Sequence, residues 1–98
     1  MRKIDFKAGY YEWLVLVDNE IVYSFNFDEG MLPEVLTNKK DFDIISESIV
    51  ENMQEDFAEL DNGTYEGLNE ITNPYFTKEE LEFVKKLISD TLYYNYGD

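Results

Sequence analysis

Phe42, Ile45, Ile49, Met53, Phe57 and Leu60 recur at the period of an α-helix, with Val50 at the edge of the same face. No strand or irregular segment gathers that set on one side, so the stretch from Asp41 to about Leu60 is expected to be a long amphipathic helix. Its other side is unusual. Asp43, Glu47, Glu51, Glu55 and Glu59 follow one another at a strict spacing of four, which lines five carboxylates along the face turned away from a core. Like charges four apart on a helix repel, each pair costing roughly 0.2–0.5 kcal/mol, and a surface built only for solubility mixes both signs. Between Asp41 and Phe76 there are ten carboxylates and no lysine or arginine to offset them.

The flanking segments read clearly. Asn62-Gly63 supplies the residue type preferred just past a helix C-terminus. Thr77-Lys78-Glu79-Glu80 is a capping box, a hydroxyl at the cap and a carboxylate three residues on, which starts a last helix to about Tyr94. Leu81, Val84, Ile88 and Leu92 share one face of it. Phe83, Leu87 and Tyr94 form a second apolar strip, read first as core under the sheet and second as a dimer face. Before the long helix, Tyr11–Val17 and Ile21–Phe27 have strand composition, and Asp18-Asn19-Glu20 between them is turn chemistry. Ile4 and Phe6 alternate with charged residues in a weaker first strand that Gly9 ends. The face bearing Tyr23, Phe25, Phe27, Trp13 and Val15 needs a helical cover, with Ile21 on the same side by simple alternation. Pro33 with Glu34-Val35-Leu36 indicates a short helical turn. The expected architecture is a single α+β domain over residues 1–98: a small antiparallel three-stranded sheet at the N-terminus, covered by two C-terminal α-helices.

Ninety-eight residues lie at the small end of what buries its own core, and sixteen aromatics supply the area to do so. The net charge of −14 disfavours direct binding to nucleic acid or anionic membranes and favours basic proteins or cations. No apolar leader or membrane-length run is present, so the expected location is the cytoplasm. There is no histidine and no cysteine. The usual general base, the nucleophile–base pairs and the common zinc sets are thereby removed, and the chain is not expected to be an enzyme. Asp56, Glu59, Asp61, Asn62 and Glu66 are oxygen ligands close in sequence, but they miss the EF-hand order, which leaves a weak divalent-metal site as an alternative reading. No cofactor is expected.

The acidic stripe therefore carries the functional reading. Helical residues four apart rise by about 6 Å, close to the separation of about 6–7 Å between neighbouring phosphates on one nucleic-acid strand. A groove lined with lysine and arginine for a phosphate backbone is thus matched by this helix face. Ile44 projects among the acids as an apolar residue inside a charged rim, the arrangement of many protein interfaces. Plain surface acidity remains the simpler alternative. In size, charge and lack of catalytic equipment the chain resembles phage-encoded anti-CRISPR and anti-restriction DNA mimics, a resemblance of composition and size. It implies an inhibitor that occludes the nucleic-acid site of a basic nuclease or effector. The residues expected to carry binding are Asp43, Ile44, Glu47, Glu51, Glu55 and Glu59, with Asp61, Glu66 and Glu70 in support. An immunity protein or antitoxin against a basic nuclease toxin uses the same physics and is the alternative.

Overall fold

The computed structural model describes residues 1–9, 12–26, 38–67 and 71–97. Three strands, β1 (Ile4–Ala8), β2 (Glu12–Val17) and β3 (Glu20–Asn26), form an antiparallel sheet in the order β1-β2-β3. Two helices follow, α1 (Lys39–Asp61) and α2 (Lys78–Tyr96), giving the expected α+β architecture. Among the described residues no helix is long and apolar enough to cross a membrane. Tyr11, Phe27, the side chain of Phe25 and the turn expected at Pro33 lie outside what is described.

The β2–β3 hairpin is set by its turn. Asp18 and Asn19 both adopt positive φ, 51° and 70°, as a two-residue hairpin loop matched to strand twist requires. Glu20 is therefore not in the turn but pairs with Val17 as the first residue of β3. Asp18 also ties the turn to β1: its amide donates to the Lys3 carbonyl, and its carboxylate accepts from the Lys3 amide.

A β-bulge corrects the simple alternation expected for β3. Val15 pairs with Tyr23, but Leu16 pairs with Ile21, leaving Val22 as the extra residue. A bulge turns two successive side chains toward one side. Val22 and Tyr23 are accordingly both buried, while Ile21 is exposed rather than part of the covered face.

The helices begin and end where local chemistry dictates. The Asn38 side chain accepts from the Asp41 amide and caps α1, and Gly63 at φ +75° closes it, a conformation open to glycine without a Cβ penalty. On α1 the buried side chains are Phe42, Ser46, Val50, Met53 and Phe57. Ile45, Ile49 and Leu60 are only half-buried. The buried face is thus turned toward Val50 relative to the apolar stripe, because α2 packs on that flank. α2 runs antiparallel to α1: Asp43 meets Ser89, Ser46 meets the Lys85 carbonyl, and Phe57 meets Phe76. α2 also packs on β1, while Phe57 and Asp56 of α1 meet Tyr23 of β3. Trp13, Val15 and Val17 of the middle strand join the same core as Val84, Ile88 and Leu92 of α2. On α2, Phe83 and Tyr94 are exposed, and only Leu87 of their strip reaches the core. They lie on the flank of α2 away from Ser89 and α1, so their reading as core is corrected.

The chain start is locked to α2 through Glu80, which is 4% exposed. Its carboxylate accepts from Arg2 Nε and Nη2, both at 3.0 Å, and from the Thr77 amide at 2.9 Å. The Thr77 hydroxyl completes the capping box by accepting from the Glu80 amide. Arg2 further donates to the Pro74 carbonyl and lies over the Phe76 ring. Arg2 first, and then the Thr77 amide, hold the Glu80 carboxyl down at about 2. An unfolded glutamate titrates near 4.3, so between these values the folded chain binds fewer protons than the unfolded chain. The contribution of Glu80 is complete above about pH 5 and disappears as pH falls through about 2. Glu80→Ala is expected to cost about 2 kcal/mol at neutral pH. In thermal melts the gap between wild type and variant should close steadily below about pH 4.

Candidate functional site

Set at about 100° per residue from Phe42, the row from Asp43 to Glu59 winds from about 100° to about 260°, drifting about 40° per step. The buried side chains centre near 40° on the same scale, so Glu51 and Glu55 point away from the core and the two ends of the row lie on opposite flanks. Glu47, Glu51, Glu55 and Glu59 are all exposed. Among the described residues no lysine or arginine is within ion-pair distance of any of them. Ile44, near 200°, is 56% exposed in their midst.

Asp43 differs from the other four. Its position on the α2 flank brings it to Ser89, whose hydroxyl donates to Asp43 Oδ1 at 2.5 Å. Lys39, one turn earlier, donates to the same oxygen at 2.8 Å and to Ser89 Oγ at 2.7 Å, and pairs with Asp90 at 3.0 Å. The Lys39 ammonium, and then the Ser89 hydroxyl, lower the Asp43 carboxyl below its usual range, while Asp43 and Asp90 raise Lys39. Asp43 is still exposed, but its charge serves the contact between the two helices.

Asp56 and Asp61 are likewise engaged. Tyr23 donates to Asp56 Oδ2 at 2.5 Å, and burial followed by this bond pushes the phenol well above its ordinary value. Asp61, exposed at the end of α1, accepts from Asn73 Nδ2 at 2.9 Å and from the Tyr75 hydroxyl at 3.0 Å. The bond to Asp61 raises the Tyr75 phenol. Asp61 thus faces the segment before α2 and does not extend the outward row. Glu66 is exposed in the segment after α1, and Glu70 lies outside the described residues. Among the described residues no group of three or more acidic side chains is arranged to hold a metal ion, and the Asp56–Glu66 ligand set does not converge.

Two features were not apparent from the sequence. The first is the Lys39–Asp43–Ser89–Asp90 cluster; its i,i+4 Lys39–Asp43 pair is visible in the sequence, but its link to Ser89 is not. The second is an open cleft of about 260 Å³ between the end of α1, residues 73–76 and the start of α2, with Tyr75 on its rim. No protein-family model, curated protein or solved structure matches the chain.

The carboxylates of α1 therefore divide into a tethered one and a free group, and stability should separate them. Asp43→Ala is expected to lower the melting temperature, since it removes the acceptor of Ser89 and one of the partners of Lys39. Glu51→Gln should leave it unchanged or raise it at low salt, because it only relieves repulsion along the row. The reverse order in thermal denaturation would mean that Asp43 is as free as its neighbours.

Proposed function

We propose that this chain is a small acidic inhibitor that docks on a basic nucleic-acid-handling protein and occludes its nucleic-acid site by charge mimicry. One observation carries the reading: Glu47, Glu51, Glu55 and Glu59 are exposed along one helix without a basic neighbour in ion-pair range among the described residues, around the exposed Ile44. That row spans about 18 Å at 1.5 Å per residue, with a step of about 6 Å near that of a phosphate backbone. Its field steers a basic surface into encounter, and Ile44 supplies an apolar contact within the charged rim. The mechanism is steric and electrostatic and needs no catalytic group. The working surface in this reading is Glu47, Glu51, Glu55, Glu59 and Ile44, with Asp43 at its margin. The inhibitor acts in the cytoplasm, where enzymes of this class meet nucleic acid.

The test is capture of the partner from lysate on the tagged chain, eluted with rising salt and identified by mass spectrometry. A basic nuclease or other nucleic-acid-binding effector should be retained at low salt and released as salt screens the contact. The variant carrying Glu47→Lys, Glu51→Lys and Glu55→Lys should lose that protein altogether. Its melting temperature should be no lower than wild type, because the repulsion within the row is relieved. Retention of the same protein by the triple variant would show that the row is not the contact.

A further inference from the structure

The cleft beside the row adds a specific element to this surface. Phe57, Phe76 and Leu81 form its apolar wall, and Gln54, Asp61 and Asn73 supply polar groups. Its lining contains one carboxylate and no lysine or arginine. Tyr75, on the rim, is 71% exposed, and its backbone is held at φ +52°, a region that non-glycine side chains occupy at a cost. Two bonds hold it there: its amide donates to Asn73 Oδ1 and its hydroxyl to Asp61 Oδ1. The aromatic ring is thereby fixed next to a carboxylate.

We propose that this cleft receives an arginine side chain of the basic partner, an assignment that rests on the inhibitor reading above. The volume of about 260 Å³ is below the roughly 300–1,000 Å³ of pockets that enclose a whole small molecule, which suits a single side chain. The aliphatic stem of arginine packs on the apolar wall, and its planar guanidinium stacks on an aromatic face while forking a carboxylate. Asp61 can accept such a fork. A carboxylate offers about four acceptor positions. Asn73 takes one on Oδ2 and Tyr75 one on Oδ1, so each oxygen keeps capacity for a further donor. The protein already uses this chemistry nearby: the guanidinium of Arg2 lies 5.7 Å from the Phe76 ring centre and forks Glu80. Position links the cleft to the row as well. Gln54 and Ala58 line it at about 120° and 160° on the α1 wheel, beside Glu51 at about 180°. A basic surface seated on Glu47, Glu51 and Glu55 has the cleft at its margin.

The assignment is tested by NMR titration of the intact chain with Nα-acetyl-arginine amide, using Nα-acetyl-citrulline amide as the uncharged control of similar shape. Saturable shifts are expected at Gln54, Tyr75 and Leu81 with the arginine compound, at least ten-fold weaker with citrulline. Asp61→Asn should abolish them. Tyr75→Gly should also weaken them while keeping the fold, since glycine accepts φ +52° without strain. The triple-lysine variant of the row should retain the shifts, which separates the two surfaces. Absence of saturable shifts, equal response to citrulline, or full response in Asp61→Asn overturns the assignment. If the row variant loses the partner while Asp61→Asn captures it as well as wild type and arginine leaves the cleft unshifted, the inhibitor reading survives without the cleft. If arginine binds the cleft but the row variant keeps the partner, the cleft stands and the row does not.

Discussion

The antiparallel contact between α1 and α2 decides what every other part of the surface presents. Two small residues sit in it beside the Phe42–Tyr93 ring pair: Ser46 and Ser89 are both fully buried there, and each hydroxyl finds an acceptor across the contact, the Lys85 carbonyl and Asp43. Small side chains let the helices approach, and the hydrogen bonds remove the penalty of burying hydroxyls. This contact sets the rotation of α1 about its own axis. With α2 on the Ser46–Val50 flank, the buried face is centred off the purely apolar stripe, and Glu51 and Glu55 become the residues that face outward.

The same rotation sorts the acidic residues by role. Those near the helix contact or the sheet are spent inside the molecule: Asp43 on Lys39 and Ser89, Asp56 on Tyr23, Asp61 on Asn73 and Tyr75, and Glu80 on Arg2. Each holds two elements or segments together, and Glu80 does so under the deepest burial. Glu47, Glu51, Glu55 and Glu59 have no such partner among the described residues and leave their charge to solvent or to another protein. Two of the chain's eight cations fasten elements together. Arg2 joins the chain start to α2, and Lys39 joins the start of α1 to Ser89 and Asp90.

This division also gives the proposed docking face its structure. An outward row with regular spacing supplies attraction over distance, which confers encounter rate more than discrimination. In the proposed complex, Ile44 and the cleft at Tyr75 would supply short-range contacts that depend on shape. The combination of a field and a fitted contact is what distinguishes a specific surface from a merely acidic one.

The order of elements, the end of α1 and the start of α2 were legible in the sequence, because they follow from local chemistry, whereas α1 begins at Lys39 under the Asn38 cap, two residues before the expected Asp41. The 3.6-residue period marked α1, the Thr77–Glu80 box marked the start of α2, Gly63 marked the end of α1, and Asp18-Asn19 marked the hairpin. The exposure of the four glutamates and of Ile44 was legible for the same reason, since a residue opposite an apolar face has nowhere to go but outward. What only the tertiary structure decided depended on which surface each element meets. The bulge at Val22 reversed the facing of Ile21, and α2 drew Asp43 out of the free row. Phe83 and Tyr94, apolar in sequence, were left exposed on the outer flank of α2. Tyr75 took its positive φ from bonds to Asn73 and Asp61. Periodicity describes one element at a time, whereas the angle at which two elements pack is fixed by side chains far apart in sequence. That angle chose which carboxylates this protein engages in its own contacts and which it leaves exposed.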